Sequence, residues 1–425
     1  MTIAEAAANA RKASYGLMKV SAEQRAEVLA RMRELLEDEK ERVFEANRAE
    51  MERAREEGLA GPLLKRLSLN GDKLETLRAG LQSLIALRDP LGHVTLKREL
   101  TEGLVLERRT CPIGVIGVIF ESRPDALVQI GSLCVKSGNA ILLKGGREAA
   151  ESNRALFEIL KESGRGILPD GWCALMESRD DVNALLKEEG SVDLIIPRGG
   201  NAFIRYIMDH TRIPVMGHAD GICHTYIDAD ADTETAVKVT VDAKTQALAV
   251  CNATETVLVH EAAAERVLPA LFAALRAKGV EIRGCERTRE IADCLPAQES
   301  DWRAEYLDAI VSVKVVPSLE AAVEHINRCG SHHTDAIITE NDESAEAFFT
   351  MVDSAGVYRN CSTRFADGYR YGFGAEVGIS TSKLHARGPV GVEGLCTYKY
   401  VLRGSGQTVE DMETGRRKYT HRDLE

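Results

Sequence analysis

From residue 113 onward the chain alternates short, almost wholly apolar runs with segments of helical periodicity, and this alternation restricts the fold more than any other feature. A strand that is apolar at every position needs cover on both faces, which a parallel sheet flanked by helices provides. Val115–Phe120 and residues 140–144 read as such strands. Pro124–Lys136 and residues 149–161 read as the intervening helices, the second with Leu156, Ile159 and Leu160 on one face. Further strands are expected at 192–196 and 222–228. A second series follows Asp232: a helix through Gln246, strands at Thr254–His260 and Ile310–Val316, and a helix over 319–327. The fold class is therefore α/β, and two such series point to two domains.

The first ninety residues differ in kind, reading as charged helices in which Val28, Leu29, Met32, Leu35 and Leu36 fall on one face. Breaks are expected at 58–62 and 89–92. After the second, Val94-Thr-Leu-Lys-Arg-Glu-Leu100 and Leu104-Val-Leu-Glu-Arg-Arg109 flank Thr101-Glu102-Gly103 and predict a hairpin. Such an arm either pairs locally or joins the sheet of a second subunit, because exposed edges seek partners; the second option is favoured. Residues 394–403 alternate enough for one more strand, returning to the hairpin. Neither internal repeats nor low-complexity segments occur.

A net charge of −12 disfavours a general nucleic-acid or anionic-membrane binder, while leaving room for a local basic pocket. The ten cysteines form no Cys-x-x-Cys pair and no small-domain disulfide spacing, as expected in a reducing cytoplasm. The first nine residues lack the pattern of a secretory signal, and no apolar run approaches the roughly 18 residues of a membrane span.

Chemistry concentrates around Cys251, where the helix is expected to break just before an apolar strand. A nucleophile held at such a break needs its thiolate favoured by a neighbouring cation or helix end. On residue type alone, a buried cysteine acting as a small hydrophobe is the commoner reading. Two glycine-containing turns, Lys144-Gly145-Gly146 and Arg198-Gly199-Gly200, precede expected helices, whose free amides suit phosphate or ribose oxygens. Neither has the Gly-x-Gly-x-x-Gly spacing, and such pairs more often serve turns. Lys144 is either a nucleotide contact or a surface ion-pair residue. The tandem His332-His333 implies no metal, since adjacent side chains rarely reach one ion and no further ligand lies at suitable spacing. Cys223-His224 is not a thiol–base pair if it lies on a strand, where neighbours face opposite ways.

The segment Ala243-Lys244-Thr245-Gln246, followed by Cys251-Asn252-Ala253-Thr254-Glu255-Thr256, resembles the active-cysteine segment of the gamma-glutamyl phosphate reductase family (glutamate-5-semialdehyde dehydrogenase) of the aldehyde dehydrogenase superfamily. Residues 118–125, 322–339, 360–368 and 374–391 resemble the same family, so the likeness runs in order along nearly the whole chain. Two departures stand out. Ala247 and Leu248 occupy positions where the family commonly has Arg and Pro, and Cys329 occupies a slot usually polar or aromatic. Loss of a proline loosens φ near the nucleophile.

The resemblance implies an aldehyde dehydrogenase-like fold with three parts. These are a Rossmann-like cofactor domain (1–92 and 111–222), an α/β catalytic domain (223–392) and a β-hairpin oligomerisation arm (93–110 and 393–425). It implies NADPH-dependent reduction of L-glutamyl 5-phosphate in proline biosynthesis, by a cytoplasmic homo-oligomer that is a dimer or a dimer of dimers. Cys251 would be the nucleophile and Arg123 the oxyanion-stabilising cation. Lys144, Gly145, Gly199, Gly200 and Glu305 would contact the cofactor; Ser362, Thr363, Arg364 and His333 would contact the substrate. Arg147 and Arg198 are candidates for a ribose 2′-phosphate. Residues 216–221, where hydrolytic relatives carry a Glu-Leu-Gly-Gly general base, have none here, which suits a thioester that is reduced rather than hydrolysed. Alternatives are a hydrolytic or coenzyme A-dependent aldehyde dehydrogenase, or a silent homologue retained as a binding protein.

Overall fold

The N-terminal helices begin where the sequence supplies oxygen caps. In the computed structural model, which describes residues 2–59, 61–178, 180–217 and 220–424, Thr2 and Ser21 form capping boxes with Glu5 and Gln24. These start α1 (Ile3–Leu17) and α2 (Ala22–Asp38). Val28, Leu29, Met32 and Leu36 of α2 are buried as their spacing predicts, while Leu35 lies at the margin of that stripe and is half-buried. Three more helices follow: α3 (Lys40–Glu56), α4 (Gly61–Leu67) and α5 (Gly71–Ala86). Of the break expected at 58–62, the first part follows α3, while Gly61 and Pro62 already belong to α4.

The chain divides into two compact units, one comprising 1–216, 373–377 and 390–425, the other 217–372 and 378–389. In the first, β3 (Val115–Phe120), β4 (Ala140–Gly145), β5 (Cys173–Met176) and β6 (Leu194–Arg198) form a parallel sheet in the order β5-β4-β3-β6. Every position of β3 and β4 is buried, as their unbroken apolar runs require. The helices α6 (Pro124–Lys136) and α7 (Ala150–Ser163) pack on β4 and β5, and α1 packs on β3, β4 and β5. Short helices α8 (Asp180–Leu185) and α9 (Asn201–Asp209) flank β6 in sequence. Strand order reverses between β3 and β6, creating a switch point at their carboxyl ends.

The hairpin consists of β1 (Val94–Thr101) and β2 (Leu104–Pro112). Although exposed hairpin edges point to a neighbour's sheet, the chain itself covers the β2 edge along its length and pairs with the β1 edge at Arg98 and Glu99. Cys396–Arg403 runs antiparallel along β2 from Cys396↔Pro112 to Arg403↔Val105, and Arg422–Asp423 pairs with β1. The returning tail strand is thus found where its alternation predicts. It begins two residues later because a 3-10 turn occupies Glu393–Leu395.

The second unit contains a seven-stranded parallel sheet in the order β10-β9-β11-β8-β7-β12-β13. Its strands are β7 (Cys223–Ile227), β8 (Thr254–His260), β9 (Glu281–Gly284), β10 (Leu295–Pro296), β11 (Ile310–Val316), β12 (Thr334–Ile338) and β13 (Gly356–Arg359). One apolar cluster joins Val257, Val259, Val311 and Val313 to Leu268, Leu271 and Phe272 of α11 (Glu261–Ala277), with α10 (Thr233–Thr245) alongside. Another joins Tyr226, Leu258 and Ile337 to Val323 and Ile326 of α13 (Leu319–Cys329) and to Phe348 of α14 (Asp342–Met351). The helix between β9 and β10 is α12 (Glu286–Ile291). Cys329, the unusual residue of α13, is buried packing.

Burial of a titratable ring in this unit predicts acid sensitivity. His325 of α13 is buried, with Trp302 and His224 edge-on at 5.7 and 5.5 Å and the Lys314 ammonium 3.4 Å from Nδ1. Burial first, then His224, Lys314, Arg328 and Arg303, push its pKa down from 6.5 to about 3. Because the folded value lies below the unfolded one, the stability it contributes is complete above pH 6.5 and is lost as pH falls toward 3. Lowering pH from 7.5 to 5 should therefore cost about 2 kcal/mol through this ring. Urea unfolding at the two pH values should show that loss in the wild type and a smaller one in His325→Gln. Equal losses in both would remove His325 as the cause.

Candidate active site

The helix that leads to the nucleophile starts on Asp232, whose carboxylate accepts from Thr235 N, and ends at Thr245. The following segment carries Cys251 at the amino end of β8, half-buried. Its backbone is held from several directions. The Cys223 thiol, at the start of neighbouring β7, donates to the Cys251 carbonyl at 3.2 Å. Burial pushes that thiol's pKa well up, which keeps it a donor. Asn252 donates to Ala366 O at 2.9 Å, and the Thr363 hydroxyl donates to Asn252 O at 2.7 Å. Gly221 lies flush against the same backbone, where an added Cβ would stand 2.2 Å from Cys251 O.

His333 is fully buried, its Nδ1 3.0 Å from Thr334 Oγ1 and 3.7 Å from Cys223 Sγ, so Cys223 stands between it and the Cys251 backbone. His224 points elsewhere: its Nδ1 and its backbone N both meet Asp335 Oδ1, at 3.0 and 2.7 Å. The two adjacent side chains of β7 thus serve different networks, as strand geometry predicts. His332 contacts the Asp353 carbonyl at 2.6 Å, away from His333's partners. Among the described residues no group of three or more His, Cys, Asp or Glu is arranged to hold a metal.

Ser362, Thr363 and Arg364 sit in a tight turn, in which Ser362 Oγ accepts from Arg364 N. Thr363 is fully buried, and its hydroxyl contacts Asn252 O and Thr254 Oγ1. Arg364 is half-buried and donates through Nε to Gln246 Oε1 at 2.9 Å. Burial and then Arg370 lower its pKa, and attraction to Cys251 opposes that lowering. Arg364 is therefore a cation within electrostatic reach of the sulfur. Glu305 lies half-exposed in the loop before β11, close enough to act electrostatically on Glu255.

The first unit holds the other candidates at the carboxyl ends of β3, β4 and β6. Lys144 is buried near the end of β4, its Nζ donating to Gly145 O at 2.5 Å, and burial lowers its pKa. The Asn153 and Glu121 side chains pack directly against Gly145 and Gly199, where an added Cβ would lie 2.1 Å from Asn153 Nδ2 and 2.5 Å from Glu121 Oε2 respectively. Gly200 caps α9 with open space around its Cα, and its N–H reaches the Glu121 carboxylate at 3.3 Å. Burial raises the Glu121 pKa. Ser122 adopts a positive φ of 48° and is held there by Glu148, which accepts from its N and Oγ at 2.5 and 2.9 Å. Arg123 follows as the residue preceding α6, with Pro124 at the first helical position. A switch point, a glycine-capped helix start and a strand-end cation fit a dinucleotide.

The comparisons with known proteins decide the family. Residues 1–283 match the aldehyde dehydrogenase family model. Gamma-glutamyl phosphate reductase from Acetivibrio thermocellus is 55% identical over 422 residues, covering 99% of this chain and 98% of the relative. That from Pelotomaculum thermopropionicum is 54% identical, with 100% and 98% covered. The crystal structure of the Thermotoga maritima gamma-glutamyl phosphate reductase superposes with a TM-score of 0.93 at 40% identity, covering 96% of this chain and all of that one. This chain belongs to the gamma-glutamyl phosphate reductase family. Its aldehyde dehydrogenase-like fold also matches more distant relatives such as an acetylating aldehyde dehydrogenase from Geobacillus thermoglucosidasius, at a TM-score of 0.67, 17% identity and 96% and 97% coverage.

Within this gamma-glutamyl phosphate reductase fold, several residues around the nucleophile were given no site role by the sequence, although Lys244, Asn252 and Glu255 lie in the motif that resembles the active-cysteine segment. Cys223, Gly221, Asn252, Lys244 and Glu255 touch the Cys251 segment or close its ends. Glu255 also carries a local mark, an acid near the start of a buried strand. Ala247 and Leu248 lie in the irregular stretch before Cys251. Of residues 216–221, His218 and Ala219 lie outside the described residues. No described helix is long and apolar enough to cross a membrane.

Proposed function

We propose that this chain reduces L-glutamyl 5-phosphate to L-glutamate 5-semialdehyde and phosphate, with NADPH as electron donor, in the cytoplasm. The full-length similarity supports the reaction class. The observation that carries the chemistry is a half-buried Cys251 whose backbone is fixed while Arg364 stands within electrostatic reach of its sulfur. In this reading the Cys251 thiolate attacks the acyl carbon, the C–O bond to phosphate breaks, and a thioester forms. Bound NADPH would supply the hydride that reduces this thioester. The resulting oxyanion collapses, the C–S bond breaks, and the semialdehyde leaves with the thiolate restored. Ser362 and Arg364 orient the substrate's anionic groups. Thr363 contributes by holding the turn against Asn252, and His333 through Cys223. Arg123 keeps the oxyanion role that the resemblance implies, and Glu305 the ribose contact.

Lys144, Gly145, Gly199 and Gly200 would hold the dinucleotide. Arg147, just after the strand-end glycines, is exposed and has no ion pair among the described residues, which favours a 2′-phosphate and hence NADPH. The first unit would then be the cofactor domain and the second the catalytic domain. The hairpin sheet would mediate a dimer or a dimer of dimers.

One spectrophotometric experiment tests this reading. Oxidation of glutamate 5-semialdehyde should proceed with phosphate as acyl acceptor and NADP, at rates at least tenfold above those with coenzyme A, water alone or NAD. Equal turnover with coenzyme A or with water would replace the reading with an acylating or hydrolytic one. Dinucleotide binding without turnover would favour a silent homologue.

A further inference from the structure

Lys244 and Glu255 form a completely buried ion pair, Nζ to Oε2 at 2.5 Å, with both side chains at 0% exposure. Lys244 lies in the last turn of α10 and Glu255 is the second residue of β8, so the pair closes residues 245–254 into a loop with Cys251 inside it. A third segment is tied to the same joint. The second carboxylate oxygen of Glu255 accepts from Leu307 N at 3.2 Å, and Leu307 is held at a φ of 53°, which a leucine rarely adopts. The Tyr306 ring lies 5.9 Å from the Lys244 ammonium, and its hydroxyl contacts Asp301 and Ser312 at 2.9 and 2.7 Å.

Burying an ion pair is a poor route to net stability, because desolvation of two charges can exceed their attraction, and an apolar pair of similar volume often does as well. Here burial pushes the Glu255 pKa up to about 7 and the Lys244 pKa down, with each partner working against its neighbour's shift. What the pair provides that an apolar contact lacks is direction. One short charged hydrogen bond sets the separation between the end of α10 and the start of β8, and Glu255 extends that constraint to the loop before β11.

We propose that the Lys244–Glu255 pair is a positioning device that closes the Cys251 loop and sets the presentation of its sulfur for attack. The inference rests on Cys251 being the nucleophile. Its test uses alkylation of dinucleotide-free enzyme, which reports that sulfur whether or not the proposed substrate is correct. Three variants are compared with the wild type: Lys244→Met, Glu255→Gln and the double variant. The readouts are the thermal midpoint, the rate of iodoacetamide labelling at Cys251 by peptide mass spectrometry, and kcat and KM.

Lys244→Met leaves a buried carboxylate uncompensated and should lower the midpoint. The double variant carries neither charge and should recover it, yet Cys251 labelling should stay at least tenfold slow. Its kcat should remain down by about 10²-fold, the scale of a 1 Å misplacement, with KM changed less than threefold. Recovery of labelling and kcat together with the midpoint would reduce the pair to a structural role and overturn the proposal. If the double variant fails to fold, Glu255→Gln decides: it keeps an acceptor for Leu307 N, and unchanged labelling and kcat in it would equally overturn the proposal.

Discussion

Cys251→Ala is expected to lose semialdehyde oxidation by roughly 10⁴-fold or more while leaving the fold intact, the scale seen when a covalent nucleophile is removed. The fold should survive because what anchors this segment is backbone. The Cys223 thiol donates to the Cys251 carbonyl, and Asn252 and Thr363 hold the next residue; none of these bonds uses the Cys251 side chain. A half-buried small side chain replaced by a methyl group costs little packing. Cys251→Ser should be nearly as inactive, since a hydroxyl gives almost no alkoxide at neutral pH. Enzyme incubated with acyl phosphate and no dinucleotide should carry the glutamyl adduct at position 251, as read by mass spectrometry. Turnover within tenfold of the wild type, or an adduct only on Cys223 or another cysteine, would end the nucleophile assignment. Cys223 is a weak competitor on physical grounds, because burial holds its thiol protonated.

The sequence made some parts of this molecule plain and concealed others, and the division follows the range of the forces involved. Strands β3, β8 and β11 were readable to the residue, because unbroken apolar runs report burial on both faces directly. The position of Cys251 between a helix and a buried strand was readable for the same local reason. Its partners were not. Cys223 lies 28 residues away, and Thr363 reaches Asn252 across 111. The end of the sheet was also hidden: open α/β sheets usually bind ligands at the carboxyl ends of their strands, whereas Cys251 and Cys223 stand at the amino ends of β8 and β7. Thr363 shows the limit of motif reading, since its hydroxyl, expected to face substrate, contacts backbone. The hairpin arm shows another. Its edge character was legible, but the 396–403 and 422–423 segments that pair with those edges come from roughly three hundred residues later.

Gly221→Ala should be the most damaging single-methyl addition near the site, with kcat reduced by about 10²-fold or more. The new Cβ would lie 2.2 Å from Cys251 O, 2.4 Å from its Cα and 2.6 Å from its Cβ. Two of those three atoms are backbone, so no side-chain rotation relieves the overlap; either β7 or the nucleophile loop must move. Movement of the loop by about 1 Å breaks the near-attack geometry, which is where the loss in kcat arises. It also strains the 3.2 Å Cys223–Cys251 contact and the bonds to Asn252, so a cost of about 1–3 kcal/mol in stability is expected. Gly80→Ala is the matching control, a glycine inside α5 with nothing within 4 Å of the added carbon. That change should leave kcat alone and raise stability by up to about 1 kcal/mol through helix propensity. Steady-state kinetics with urea unfolding on both variants separates the effects. A Gly221→Ala enzyme with kcat within threefold of wild type would mean that close backbone approach at this glycine does not set the position of Cys251.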